Sequence, residues 1–243
     1  MSAESTIALV TDSTASLTRE DRERLEISVV NLYVILNGEQ RPENEIDDYA
    51  AFYKAVLESP QLTTTSQPSI GDFMEVYGPL LDEGREIVSL HLSGAISGTC
   101  EAARQAAVQL EADGRGGERI TVVDSRTTAG GLAFCNLAAA NAIKDGKDVA
   151  GVVAQIEACR EEIDTLILVD TLEYLRKGGR IGGAQAWIGG ALKIKPLLVQ
   201  AIRFLRCVGL HHPADGGEQR RSKNGLGLAV EALERFPEFR RPS

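Results

Sequence analysis

The sequence predicts an α/β fold built on a mostly parallel sheet. Short apolar runs rich in β-branched residues, such as Ile7–Val10, Ile87–Leu92 and Ile120–Val123, alternate with segments of helical period. Each run ends in a polar turn: Thr11-Asp12-Ser13-Thr14, Ser93–Thr99 and Asp124-Ser125. The helical segment over Thr127–Ala142 is rich in Ala, with Gly130-Gly131 near its start, which lets it pack close to a sheet. Ligands in such folds sit beyond the carboxyl ends of the strands. The polar ends at Asp12, Ser97 and Asp124 are therefore where a site is expected.

The elements follow in order. Ile7–Val10 is a short buried strand, and Asp12 or Ser13 is a candidate cap for a helix over about 17–25. Ile27–Leu36 is a second strand region, closed by the turn signal Asn37-Gly38-Glu39. Asp47 or Asp48 opens a helix through Leu57 with Tyr49, Phe52, Tyr53 and Val56 on one face. Phe73, Val76, Tyr77, Leu80 and Leu81 make the next amphipathic helix. The strand Ile87–Leu92 feeds a helix whose apolar positions Ala103, Ala106, Ala107 and Leu110 fall at i, i+3, i+4, i+7. After the break Asp113–Gly117 come the strand Ile120–Val123 and an alanine-rich helix over Thr127–Ala142. Gly146 and Asp148 punctuate the chain, so the domains are expected at 1–147 and 148–243. The second domain opens with a helix over Val149–Cys159 and a strand over Thr165–Val169. A short helical segment over Asp170–Ile181, a small-residue helix over Ala184–Leu192 and a strand over Lys193–Leu198 complete it.

Composition narrows the function classes. The chain has 243 residues, of which 43% are hydrophobic and 25% charged, as in a soluble globular protein of one large or two small domains. A formal net charge of −9 argues against nucleic acid as the main partner. No apolar run approaches the ~20 residues of a membrane span, so no stable membrane insertion is expected. The start, Met1–Thr6, is polar and acidic, unlike a signal peptide. Cys100, Cys135, Cys159 and Cys207 form no C-x-x-C pair and read as reduced, mostly buried thiols of a cytoplasmic protein.

Two hydroxyl-rich loops are the candidate ligand site. Ser97, Gly98 and Thr99 lie where a strand feeds a helix, and spare backbone N–H groups and the positive helix end collect there. Thr63–Ser69 packs five hydroxyls into seven residues, including Thr65 and Ser66, and also enters a helix. Together they can hold a carboxylate or phosphate without a charged side chain; singly, each is an ordinary set of caps. Arg176, Lys177 and Arg180 form a local basic patch in an acidic chain, suited to a phosphate or an acidic partner surface, or else a solvated turn.

The series Val10-Thr11-Asp12-Ser13-Thr14, Thr65-Ser66-Gln67-Pro68-Ser69, Ser97-Gly98-Thr99, Val123-Asp124-Ser125, Asp170–Ile181 and Leu192–Leu197 resembles the DegV family of fatty-acid-binding proteins, from about residue 7 to about residue 198. The resemblance implies a two-domain α/β protein that buries one long-chain fatty acid between its domains. It also implies that the carboxylate is presented to a partner kinase that makes an acyl phosphate. Thr65, Ser66, Ser97, Gly98 and Thr99 are then the ligand-binding residues, and Arg176 and Arg180 contact the partner or the phosphate. No cofactor, metal or catalytic residue is implied.

Nothing after Val199 matches the family pattern, so the second domain is expected to be truncated or diverged from there. No P-loop, H-E-x-x-H or G-x-S-x-G motif is present, and Gly178–Gly183 does not follow a strand as a dinucleotide fingerprint requires. The alternative is a hydrolase or acyltransferase using Ser97 as nucleophile, which needs a nearby base. The only early histidine, His91, lies within a strand and is expected to face the core or the strand end.

Overall fold

The computed structural model describes residues 6–169, 171–182, 195–201 and 204–211. The chain divides into two compact units, Met1–Ile163 and Asp164–Ser243.

The first unit begins with β1 (Ile7–Asp12), a 3-10 turn (Ser13–Ala15), α1 (Arg19–Arg24) and β2 (Ile27–Val30). The hairpin β3 (Tyr33–Leu36) and β4 (Glu39–Pro42), α2 (Tyr49–Glu58), β5 (Thr64–Ser66) and α3 (Ile70–Asp82) follow. Then come β6 (Glu86–His91), α4 (Thr99–Ala112), β7 (Ile120–Asp124), α5 (Ala129–Lys144) and α6 (Val149–Glu161). Four strands form a parallel sheet in the order β2-β1-β6-β7. A small antiparallel sheet, β4-β3-β5, stands apart from it.

Both faces of the parallel sheet are covered, and the period-2 alternation of its strands sorts the core into two layers. Ile7, Leu9, Val88, Leu90 and Val123 pack with Leu132, Cys135 and Ala139 of α5 and Val152 and Ile156 of α6. Ala8, Val10 and Ile87 pack on the other face with Phe73, Tyr77 and Leu81 of α3 and Ala103, Ala106 and Leu110 of α4. Phe73 and Tyr77 are fully buried; a side chain of that size contributes roughly 1.5–3 kcal/mol through burial. The alanines let α4 lie close to the strands. Val152 and Ile156 place α6 in this core, so the division falls at Ile163 rather than near Gly146.

Two local features differ from the sequence reading. The region 27–36 is two strands, because the chain leaves the parallel sheet after Val30 and turns into the small one. Its hairpin turn, Asn37-Gly38, has φ of 53° and 84°, the positive pair that a tight hairpin requires. Asp12 caps the 3-10 turn through the Thr14 N–H, and Thr18 caps α1 through the Asp21 N–H.

The second unit contains β8 (Thr165–Leu168), α7 (Glu173–Lys177), β9 (Lys195–Ala201) and β10 (Phe204–His211). The three strands form an antiparallel sheet in the order β10-β9-β8. Ile181 is buried there among Ile167, Val169, Leu172 and Leu175. The expected helix at Ala184–Leu192 lies outside the described residues.

Candidate functional site

The connections from β1 lead to β2 on one side and, later, to β6 on the other. The crevice at the carboxyl ends of β1 and β6 is thus a topological switch point, the usual place for a ligand in an open α/β sheet. Asp12 ends β1, His91 ends β6, and His91 is in register with Asp124 at the end of β7.

Beneath this edge runs a buried polar chain. Asp12 Oδ1 accepts from the Thr14 N–H at 3.1 Å and the Thr14 hydroxyl at 2.6 Å. Its Oδ2 accepts from the Leu92 N–H at 2.9 Å and lies 3.1 Å from His91 Nδ1. His91 Nε2 is 2.6 Å from Ser89 Oγ, which is 2.6 Å from the Tyr77 hydroxyl. Asp12, Ser89, His91 and Tyr77 are all fully buried. Ser89 and His91 sit two apart on one strand and so share the α3 face of the sheet. Burial by itself raises the Asp12 pKa, but the hydrogen bonds from His91, Thr14 and Leu92 outweigh burial and hold it below the ordinary carboxylate value. Burial pushes the Tyr77 phenol up. On the opposite face Thr11 donates to Leu90 O at 2.8 Å and accepts from Asn136 Nδ2 at 3.0 Å.

The loop from Ser93 to Gly98 rises from this base. The Ser93 N–H bonds Thr127 O at 2.8 Å, and the Gly94 N–H bonds the Asp124 carboxylate at 3.2 Å. Ser97 Oγ lies 2.8 Å from Thr99 Oγ1 and accepts from the Thr99 N–H at 3.3 Å. With Thr99 as hydroxyl donor, the Ser97 hydrogen is left for a ligand. Gly98 is the N-cap of α4 and supplies no side-chain cap. Nor does Thr128 at the start of α5, whereas Thr18, Asp48, Ser69 and Asp148 cap α1, α2, α3 and α6. In the first unit the α-helix ends without a side-chain cap thus follow β6 and β7, at the ligand edge, where orphan N–H groups attract an anion.

The hydroxyl-rich segment at 63–69 is partly a strand. Thr65 pairs with Val34 of β3 and is exposed, with no side-chain hydrogen bond among the described residues. Ser66 Oγ donates to Gln67 O at 3.1 Å. The two loops meet at Gln67 and Gly98: a β-carbon built on Gly98 would run into the Gln67 carboxamide. Ser66 and Ser97 are each next in sequence to that contact.

His91 does not serve Ser97 as a base, since its two nitrogens engage Asp12 and Ser89. Arg176 and Arg180 are exposed in the second unit, on and just after α7, where Lys177 pairs with Glu173 at 2.6 Å. A large open concavity lies at the opposite, amino-terminal edge of the sheet, lined by Thr6, Ile27 and Arg85. Its Arg19, Arg22 and Arg85 face Glu23, Glu26, Asp47 and Glu83, so it offers an anion no net attraction. Among the described residues no helix is long and apolar enough to cross a membrane.

A family profile described as an uncharacterised protein of the DegV family matches residues 6–201. The chain belongs to the DegV family. A DegV domain-containing protein of Deinococcus radiodurans is 37% identical over 230 residues, 95% of this chain and 77% of that one, a match that continues past residue 201. Another, from Listeria monocytogenes, is 40% identical over 191 residues, 78% of this chain and 66% of its own length. The fold is similar to that of a solved fatty-acid-binding DegV family protein from Thermus thermophilus, with a TM-score of 0.78 and 36% identity over 94% of this chain and 78% of that one. It is also similar to DegV of Bacillus subtilis, described as a fatty acid binding protein, with a TM-score of 0.74 and 32% identity over 94% and 77%.

Sequence reasoning missed two parts of this candidate site. Gln67 stood in a motif without a role, and its seat on Gly98 is a tertiary contact. The Asp12–His91 bond joins residues 79 apart in sequence. The one available signal was the i, i+2 spacing of Ser89 and His91, which puts both polar groups on one face.

Proposed function

We propose that the chain binds a long-chain fatty acid, with its carboxylate at Thr65, Ser66, Ser97, Gly98 and Thr99, and presents it to a partner kinase for acyl-phosphate formation. The observation that carries the reading is the start of α4. There a helix end without a side-chain cap meets the Ser97 hydroxyl and the Gln67 loop at the ligand edge of the sheet. An anionic head group satisfies the spare donors, and hydroxyls hold it without a catalytic base. The fatty acid comes from the family: the Thermus and Bacillus proteins are both described as fatty-acid-binding. Arg176 and Arg180 are assigned to the partner or the transferred phosphate, since guanidinium groups pair well with phosphoryl oxygens. The test is native mass spectrometry of the purified chain, with extraction after denaturation. A co-purifying fatty acid supports the reading. Absence of any fatty acid, before and after adding palmitate, overturns it.

A further inference from the structure

Resting on the fatty-acid reading, we propose that Asp12 and His91 are a positioning pair for the ligand carboxylate, acting through the Leu92 peptide that launches the Ser93–Gly98 loop. Neither side chain touches the ligand. Asp12 is fully buried and its two oxygens already accept four hydrogen bonds, so it presents no free face.

Leu92 is tied at both ends of its backbone. Its N–H donates to Asp12 Oδ2 at 2.9 Å, and its carbonyl accepts from Cys100 Sγ, in the first turn of α4, at 3.5 Å. The next residue, Ser93, is held by Thr127 O and in turn accepts the Ser97 N–H at 3.2 Å. A continuous set of bonds therefore runs from Asp12 on β1, through Leu92 and Ser93, to Ser97. An ionised carboxylate at its root is the strongest acceptor the fold can offer a backbone N–H.

Hydrogen counting fixes the state of the histidine. An ionised Asp12 only accepts, so His91 Nδ1 carries a hydrogen. If Nε2 carried one too, Ser89 and Tyr77 would have one hydroxyl hydrogen more than the chain of bonds has acceptors. The neutral Nδ1–H tautomer satisfies every group: Tyr77 donates to Ser89, Ser89 to His91 Nε2, and His91 Nδ1 to Asp12. Phe73 packs edge-on against the ring, with centroids 5.1 Å apart, and holds its plane. The pair is thus pinned from the core side, and the loop is pinned to the pair.

The test compares the full-length parent with Asp12→Asn, His91→Leu and the control Leu110→Ala, a core truncation at the far end of α4. Palmitate affinity, thermal midpoint and the ¹⁵N shifts of the His91 ring are read for each that retains the atoms. The parent should show a protonated Nδ1 and an accepting Nε2. Asp12→Asn should lose that signature and bind palmitate about tenfold more weakly, the equivalent of one charge-assisted hydrogen bond. His91→Leu should weaken binding in the same direction, and it carries the test if Asp12→Asn does not fold. Leu110→Ala should lower the midpoint while leaving affinity at the parent value. Parent-like affinity in folded Asp12→Asn or His91→Leu overturns this proposal alone. So does a loss in Leu110→Ala that matches theirs at equal midpoint. A parent that binds no palmitate overturns the fatty-acid reading and this proposal with it.

Discussion

The Gln67 side chain rests on the α-carbon of Gly98, where a β-carbon would stand 2.9 Å from Gln67 Cδ and 3.0 Å from its Nε2. The two hydroxyl loops therefore share one contact that tolerates no added methyl group. Gly98 has φ of −80°, so its backbone is open to any residue and only the contact forbids a side chain. Gly98→Ala should cost less than about 1 kcal/mol of stability, because the obstructing atoms belong to a flexible side chain. It should nevertheless displace Gln67, part the loops and weaken palmitate binding about tenfold. Titration calorimetry beside a thermal melt checks the split; equal affinity with an unchanged melt would show that the contact is incidental.

Thr65→Val and Ser97→Ala remove one hydroxyl each while keeping shape. A hydrogen bond to a charged acceptor contributes roughly 1.5–3 kcal/mol. Each variant should therefore bind palmitate about tenfold to a hundredfold more weakly. A hydrolase would behave otherwise: Ser97→Ala would abolish turnover of a nitrophenyl ester, and Thr65→Val would only slow it. Parent-like affinity in both variants would reduce the loops to helix caps.

Reversing the charge at Arg176 and Arg180 to Glu should leave palmitate affinity unchanged and sharply lower acyl-phosphate formation with a partner kinase. Both side chains are exposed, so folding should be little affected. The checks are palmitate titration of the double variant and a coupled assay with the kinase. Equal loss of lipid binding in a folded double variant would refute the division of labour.

Acid should act through Asp12. Its folded pKa lies below the unfolded value of about 3.9, so its contribution to stability is full above that value. The contribution is lost as pH falls through the lower, folded value. The thermal midpoint of the parent should therefore drop more steeply than that of Asp12→Asn as pH falls below about 4. Parallel acid limbs in the two proteins would show that the pair is not what titrates.

The layers of the first unit were legible because each buried strand is a short apolar run and each helix carries its own period. Strand ends, helix entries and the Asn37-Gly38 turn are local chemistry, and Ser97 and Gly98 stand in the loop before α4 where they were expected. What was not legible depends on partners distant in sequence. Thr64–Ser66 is too short and polar to signal a strand and becomes one by pairing with β3. Thr18, next to its helix, was a better cap than Asp12, whose other oxygen is claimed by His91 and Leu92. Periodicity says which face a residue takes, and it is silent on what crosses from another strand to meet it.

β1 is an interior strand of the finished sheet, between β2 and β6. β1 can pair at once with β2, but its other edge waits for β6, with Ile7 opposite Glu86. In a chain emerging from its N-terminus, that edge stays unpaired for the synthesis of the whole intervening segment, several seconds at roughly 5–20 residues per second. During that time Asp12 is a hydrated carboxylate and Val10 an exposed apolar side chain beside an open strand edge. Closure of the sheet is a non-local event of the kind that slows folding. It buries the carboxylate, the histidine and the edge in the same step. A nascent chain arrested short of residue 91 should therefore be the form most prone to aggregate and the one most in need of a chaperone.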